Sequence, residues 1–226
     1  RYFAEPLSFD AGAIDLRLNL SPFSLDVGQA VLQNDRHKLS LAGKALAGSK
    51  GWQLSGDVLI DEVERDELLL LWPPSFVPAT RDWLERNYLS GKTTDLRFSA
   101  RMAPEQKPRL HLQFNFEDAS FRYIKAMPPV SSAYGYGVLF NDQFTVKIEH
   151  GEVIAPLGGR IDLAGSSMKM PDIRQIPADA VVDLQSRSSS TAMMSLLRME
   201  PLKLMADSSI PVDVADATFL GRTVIS

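Results

Sequence analysis

The feature that most constrains this chain is a hydrophobic repeat of period two. In AIDLRLNL, Ile14, Leu16, Leu18 and Leu20 alternate with Asp15, Arg17 and Asn19. Successive side chains of an extended strand point to opposite faces, so such a segment is greasy on one side and polar on the other. The alternation returns with Phe23, Leu25 and Val27, with Leu39 and Leu41, and with Trp52, Leu54, Val58 and Ile60. It resumes with Leu96, Phe98, Ala100 and Met102, with Leu110, Leu112, Phe114 and Phe116, with Phe144, Val146 and Ile148, and with Ile161 and Leu163. A further strand is expected in ADAVVDLQS. Turn-forming stretches (NLSP, QNDRHK, AGSKG) separate the runs, which favours a meander of antiparallel strands over parallel pairing with its long crossovers. The expected fold is mainly β: an elongated, twisted antiparallel sheet, a groove-like meander with short helical insertions.

The alternation stops at DEVERDELLLLWPPSFVPATRDWLERNYLSG. A short helix is expected over Glu64 to Leu71, ended by Pro73 and Pro74, and a second from Pro78 to about Ser90 with Gly91 as its C-terminal stop. Trp83, Leu84 and Tyr88 supply its apolar stripe and are the expected anchor of the insertion. From Ser188 a capped helical stretch, SSSTAMMSLLRMEP, is broken at Pro201 and followed by the opening of another strand set, VADATFLGRTVIS. Four sections result: a first β-section over 1–64, a helical insertion over 65–91, a second β-section over 92–187, and a helix with the start of a further β-section over 188–226. Helix, proline break and strands thus occur twice, roughly 110 to 120 residues apart, the spacing of a modular array of which this chain is a piece.

Composition removes several classes of function. A net charge of -4 offers no basic field for a phosphate backbone, so no nucleic-acid partner is expected. The absence of cysteine excludes disulfides, thiolate metal sites and cysteine nucleophiles, and leaves both cytoplasm and periplasm open. The longest strongly apolar run, Leu68 to Trp72, is far short of the roughly 20 residues that span a bilayer.

Chemical motifs are weak. His37 lies in a charged turn, His111 on the polar side of its strand, and His150 before a glycine turn. Ser166 and Lys169 have Ser-x-x-Lys spacing, but at a strand end rather than the start of a helix. YGYGV carries Phe140 where a dinucleotide loop needs its third glycine. Asp57, Asp61, Glu62, Glu64, Asp66 and Glu67 lack the spacing of a calcium loop and read as a solvated strand end running into a helix N-terminus. Trp72, Trp83, Tyr88, Tyr123, Tyr134 and Tyr136 form either an aromatic platform or ordinary packing. The reading is of a non-enzymatic protein with no catalytic residues, no metal and no cofactor.

The stretch LLLLWPPSFVPATRDWLERNYLSGKTTDLRFSARM, then ASFRY before a Pro-Pro turn, a strand pair around Phe140 and Phe144, and GGRIDLAG leading to PDI, resembles the AsmA-like family of the YhdP and TamB type over residues 68–174. That resemblance implies a long β-groove in the periplasm of Gram-negative bacteria, anchored to the inner membrane through regions outside this chain. It further implies that the groove carries phospholipid toward the outer membrane, with other envelope proteins as possible partners. Strand parity then assigns the lipid-facing row: Ile14, Leu16, Leu18, Leu54, Val58, Leu96, Phe98, Leu112, Phe114, Val146, Ile148, Ile161 and Leu163. An open apolar trough shields phospholipid acyl chains, each methylene worth about 0.8 kcal/mol relative to water. The same alternation also lines a closed β-sandwich. In that case the protein is a structural or assembly factor of the outer membrane with no lipid path.

Overall fold

The computed structural model describes residues 8–34, 38–175, 177, 179–204, 211–213 and 217–225. Twelve strands form one antiparallel sheet: β1 (Ala11–Leu20), β2 (Phe23–Gln33), β3 (Lys38–Gly48), β4 (Gly51–Glu64), β5 (Tyr88–Met102), β6 (Arg109–Phe121), β7 (Val130–Phe140), β8 (Gln143–Ile154), β9 (Arg160–Asp162), β10 (Ser167–Met170), β11 (Val181–Ser189) and β12 (Thr218–Ile225). Spatial order follows chain order, except that the short β9 and β10 both lie between β8 and β11, each pairing with both. All the described strands belong to this sheet, so no second sheet covers it, and β1 and β12 each keep one unpaired edge. The β-sections over 1–64 and 92–187 are continuous through the β4–β5 ladder.

Two helical insertions each join neighbouring strands. Between β4 and β5 run α1 (Arg65–Leu71) and α2 (Pro78–Asn87), and between β11 and β12 runs α3 (Ser190–Leu197). Pro78 opens α2, where a missing N–H costs nothing. The second helix ends three residues earlier than the sequence predicts, because Tyr88 and Ser90 already pair with β6. Gly91 is therefore a strand residue at φ +128, not a helix stop, and a Cβ there would lie 2.6 Å from Ala119 Cα. The capped stretch forms as α3, with the Ser189 hydroxyl accepting from the Ala192 amide at 3.1 Å.

Strand parity is interrupted across the middle of the sheet. Asp95 in β5, Asp118 in β6 and Ser132 in β7 have left-handed backbones (φ 50, 46 and 46), each within a break of ladder register. Each extra residue reverses which face the following positions occupy and adds local twist. Beyond these bulges lies a closed core of Val63, Tyr88, Thr93, Phe116, Ala119, Val130, Ala133, Val153, Ile161 and Leu163, together with Leu68 of α1 and Ala192 and Met193 of α3. The helices therefore seal one end of the apolar face and leave the other end uncovered.

Candidate functional site

Residues opposite one another in an antiparallel ladder share a face, so the pairings define the apolar surface directly. One row runs Ile14, Ala30, Leu41, Val58, Phe98, Leu112, Leu139, Phe144, Met170 across β1 to β8 and β10 without a polar side chain. A parallel row runs Leu18, Leu25, Ala45, Leu54, Met102. A third continues to the far edge through Phe114, Gly137, Val146, Met168, Val182 and Ile225. Leu16 stands opposite Val27, Leu96 opposite Ile60 and Ile148 opposite Gly135 on the same face. Water reaches much of it: Ile14 is 60% exposed, Leu18 52%, Trp52 53% and Leu54 37%.

Eleven of the thirteen residues expected on the lipid-facing row share one face, of which Val58, Leu96, Phe114, Val146 and Ile148 are half-buried against the closed core, and the other two lie inside that core. Ile161 and Leu163 are 1% and 6% exposed. They lie beyond the bulges, against α3 and the β8 end, where the core is closed. The expected anchor of the insertion is also corrected. Trp83 is 48% exposed and no residue of α2 is fully buried, whereas Tyr88, the first residue of β5, is buried and Leu84 packs partly against the core. Arg65 and Arg81 do the tying instead. Arg65 donates to the Tyr88 and Glu85 carbonyls at 2.8 and 2.7 Å, and Arg81 to the Leu69 and Trp72 carbonyls at 3.3 and 3.4 Å. The link between α1 and α2 reaches onto the apolar row, where Phe76 meets Phe98 edge-on at 5.7 Å.

Several residues of this face carry no sequence-based assignment. Gly135 and Gly137 of YGYGV belong to β7, and their missing side chains make room for rings from β6. A Cβ on Gly137 would stand 2.3 Å from Phe114 Cζ, and one on Gly135 would stand 2.7 Å from Phe116 Cζ and 2.0 Å from the Lys147 carbonyl oxygen. Bare glycines flanked by tyrosines in a strand, opposite phenylalanines, are the signal that identifies such positions. The neighbouring Tyr134 faces the polar side beside His150, ring centroids 6.2 Å apart, so the aromatic residues do not assemble into one platform.

The opposite face is polar and cross-linked by charge. Asp57 accepts from Ser99 at 2.7 Å and from Arg101 at 2.8 Å, Lys44 meets Asp26 at 3.4 Å, Lys92 bridges Glu62 and Glu117 at 3.1 and 3.6 Å, and Arg222 clasps Asp183 at 2.7 Å. The Ser99 hydroxyl, seconded by the Arg101 guanidinium, holds the Asp57 carboxyl below its ordinary range against the opposing effect of burial. Burial pushes the Tyr88 and Tyr123 phenols up. Much of the acidic cluster is likewise engaged, Asp61 by the Lys38 amide at 2.8 Å and Glu62 by Lys92.

Comparison with protein-family models, with curated proteins and with solved structures finds no match. Function must therefore be argued from the geometry. The Ser166 hydroxyl donates to the Gln185 carbonyl and accepts from the Gln185 amide, both at 3.0 Å, so it staples the approach to β10 onto β11. Lys169 is exposed on β10. His111 stacks edge-on with Phe140 at 5.9 Å, and His37 lies outside the described residues. Among the described residues no three histidine or carboxylate groups gather as a metal site, and no helix is long and apolar enough to cross a membrane.

Proposed function

We propose that this chain is a non-enzymatic, lipid-binding and lipid-conducting section of a periplasmic AsmA-like protein, anchored in the inner membrane through regions outside it, that moves phospholipid between the inner and outer membranes. The observation that carries the reading is the apolar face of a single sheet, whose row from Ile14 to Met170 crosses nine strands without a polar side chain and whose β1–β4 end exposes Ile14, Leu18, Trp52 and Leu54 to water. Exposed apolar surface of that extent calls for a guest or a partner. Rows of aliphatic side chains offer an acyl chain nearly equal footing at successive strands, which suits movement along the sheet better than capture in one deep pocket. The insertion that carries Phe76 braces the face without closing it. Native mass spectrometry of the purified chain is expected to find co-purified phospholipid, and brominated acyl chains are expected to quench Trp52, which stands on this face. Absence of both refutes the proposal.

A second reading is a structural or assembly factor that binds envelope partners along its sheet edges, favoured by the fully exposed β1. It predicts no lipid and no quenching of Trp52.

A further inference from the structure

Strand β1 presents 10 residues of unpaired edge, all of them exposed. Edge strands normally carry a lysine, a proline or a bulge that hinders pairing with another chain. AGAIDLRLNL has neither lysine nor proline, and the register slip beside Asp15 takes its extra residue, Gly28, from β2, so β1 itself runs unbroken. Ile14, Leu16, Leu18 and Leu20, on the apolar side, are 52% to 77% exposed. Asp15 and Arg17 share the polar side two positions apart, and among the described residues neither has an ion-pair partner. Asp26, which stands opposite Arg17, is taken by Lys44 at 3.4 Å. Run in the reverse direction, acid then base becomes base then acid, so the strand complements itself.

We propose that β1 pairs antiparallel with β1 of a second copy of this chain, about a two-fold axis that stands at right angles to the sheet and passes between the two copies of Leu16. Leu16 then meets the partner's Leu16, Asp15 meets the partner's Arg17, Ile14 meets the partner's Leu18, and residues 12 to 20 are all paired. Such an axis reverses strand direction without turning the sheet over, so both apolar faces lie on the same side. The apolar row that ends at Leu18 in one copy runs on into the row that begins at the partner's Ile14. Charge fixes the register. Centring the pair on Asp15 sets that carboxylate against its own copy, and centring it on Arg17 does the same with two guanidinium groups, whereas like charges directly opposite destabilise a ladder. A slip of one residue turns the apolar sides to opposite faces. Of the registers that keep the faces together, the one centred on Leu16 alone sets Asp15 against Arg17, and symmetry makes that pair twice. Dimerisation concerns the edge rather than the guest on the face, so it stands or falls apart from lipid binding.

Sedimentation equilibrium of the whole 226-residue chain is expected to show a dimer of twice 25.0 kDa. D15R and R17D each turn two attractive pairs into two repulsive ones and are expected to weaken dimerisation about tenfold or more, while D15R/R17D re-forms the opposite-charge pairs and with them the wild-type association. Both side chains are exposed, so an unchanged circular dichroism spectrum is expected in all three. The chain holds no cysteine, so L16C and L20C each add a single thiol at an exposed position. A short bis-maleimide is expected to capture L16C as a dimer, because its two thiols face each other. It is expected to leave L20C uncaptured, since residue 20 stands opposite the partner's Gly12 and its two thiols lie about 27 Å apart along the strands. A monomeric wild type, single reversals that associate as strongly as wild type, or a double variant that stays weakened overturns the edge pairing. Capture of L20C as readily as L16C overturns the register.

Discussion

The paired substitution Leu18→Asp and Leu54→Asp separates an exposed working face from a core. The two residues belong to one cross-strand row, with Leu25 and Ala45 between them, so at a strand spacing of about 4.8 Å they stand about 14 Å apart. Leu18 is 52% exposed and Leu54 37%. Fully burying a leucine contributes about 1.5–3 kcal/mol, so covering these remaining surfaces with an acyl chain contributes about 0.8–1.6 and 0.6–1.1 kcal/mol. Losing both weakens lipid binding by about 1.4–2.7 kcal/mol, or roughly 10- to 100-fold. Folding, by contrast, changes little, since substitutions on an exposed surface stay within about 0.5 kcal/mol each. Lipids with brominated chains, read through Trp52 against a Trp52→Phe control, give the binding curve, and urea unfolding gives the stability. Wild-type affinity in the double variant refutes the face assignment. A stability loss of several kcal/mol refutes the claim that these leucines are free to receive a guest.

Gly135→Ala is expected to destabilise by about 1–3 kcal/mol through overpacking, because its Cβ meets the rigid Lys147 carbonyl. Gly137→Ala should cost less and be relieved by Phe114→Leu, since there the obstacle is the far end of a ring; urea midpoints of the single and double variants check both. Tyr88→Ala should lose about 3–5 kcal/mol in the same assay, while Trp83→Ala stays within about 0.5 kcal/mol, because only Tyr88 is buried. Asp57 has a folded pKa below its unfolded value of about 3.9, so its contribution is complete above that value and is lost as pH falls through the folded one. Wild type should accordingly exceed Asp57→Asn in urea midpoint at pH 7, with the gap closing in acid below the ordinary carboxylate range.

Most of the sheet was legible because its periodicity is a local property. Ile14, Leu16 and Leu18, or Leu112 and Phe114, announce their shared face within a few residues, and the ladder merely lines up what each strand already specifies. Legibility failed where a nonlocal contact decides. Parity alone cannot locate the bulges at Asp95, Asp118 and Ser132, nor show which part of a face a helix covers, so it carries Ile161 and Leu163 onto an open surface when they lie with α3 in the closed end. The apolar stripe of the sequence makes Trp83, with Leu84 and Tyr88, the expected anchor. The backbone leaves α2 before Tyr88, and that change of direction turns Tyr88 into the core.

The accessible surface gives the openness of the sheet a scale. A compact monomer of 25.0 kDa exposes about 10,200 Å², whereas this chain exposes 14373 Å², about two-fifths more. The excess is what a single layer requires, because each strand added to the row from Ile14 to Met170 lays down another apolar position with no second sheet to cover it. Packing around Val63, Val153 and Ile161, which reaches Leu39, Ile60 and Phe116, holds the sheet while β1 and the Trp52–Leu54 end of β4 stay exposed. Stability and exposure are therefore assigned to different parts of the same strands. A covering sheet would lower the surface and strengthen the fold, but it would displace any acyl chain from the row. The proposal thus turns on the guest: a lipid that covers Leu18, Trp52 and Leu54 reduces the exposed apolar area by occupying the same positions a second sheet would fill.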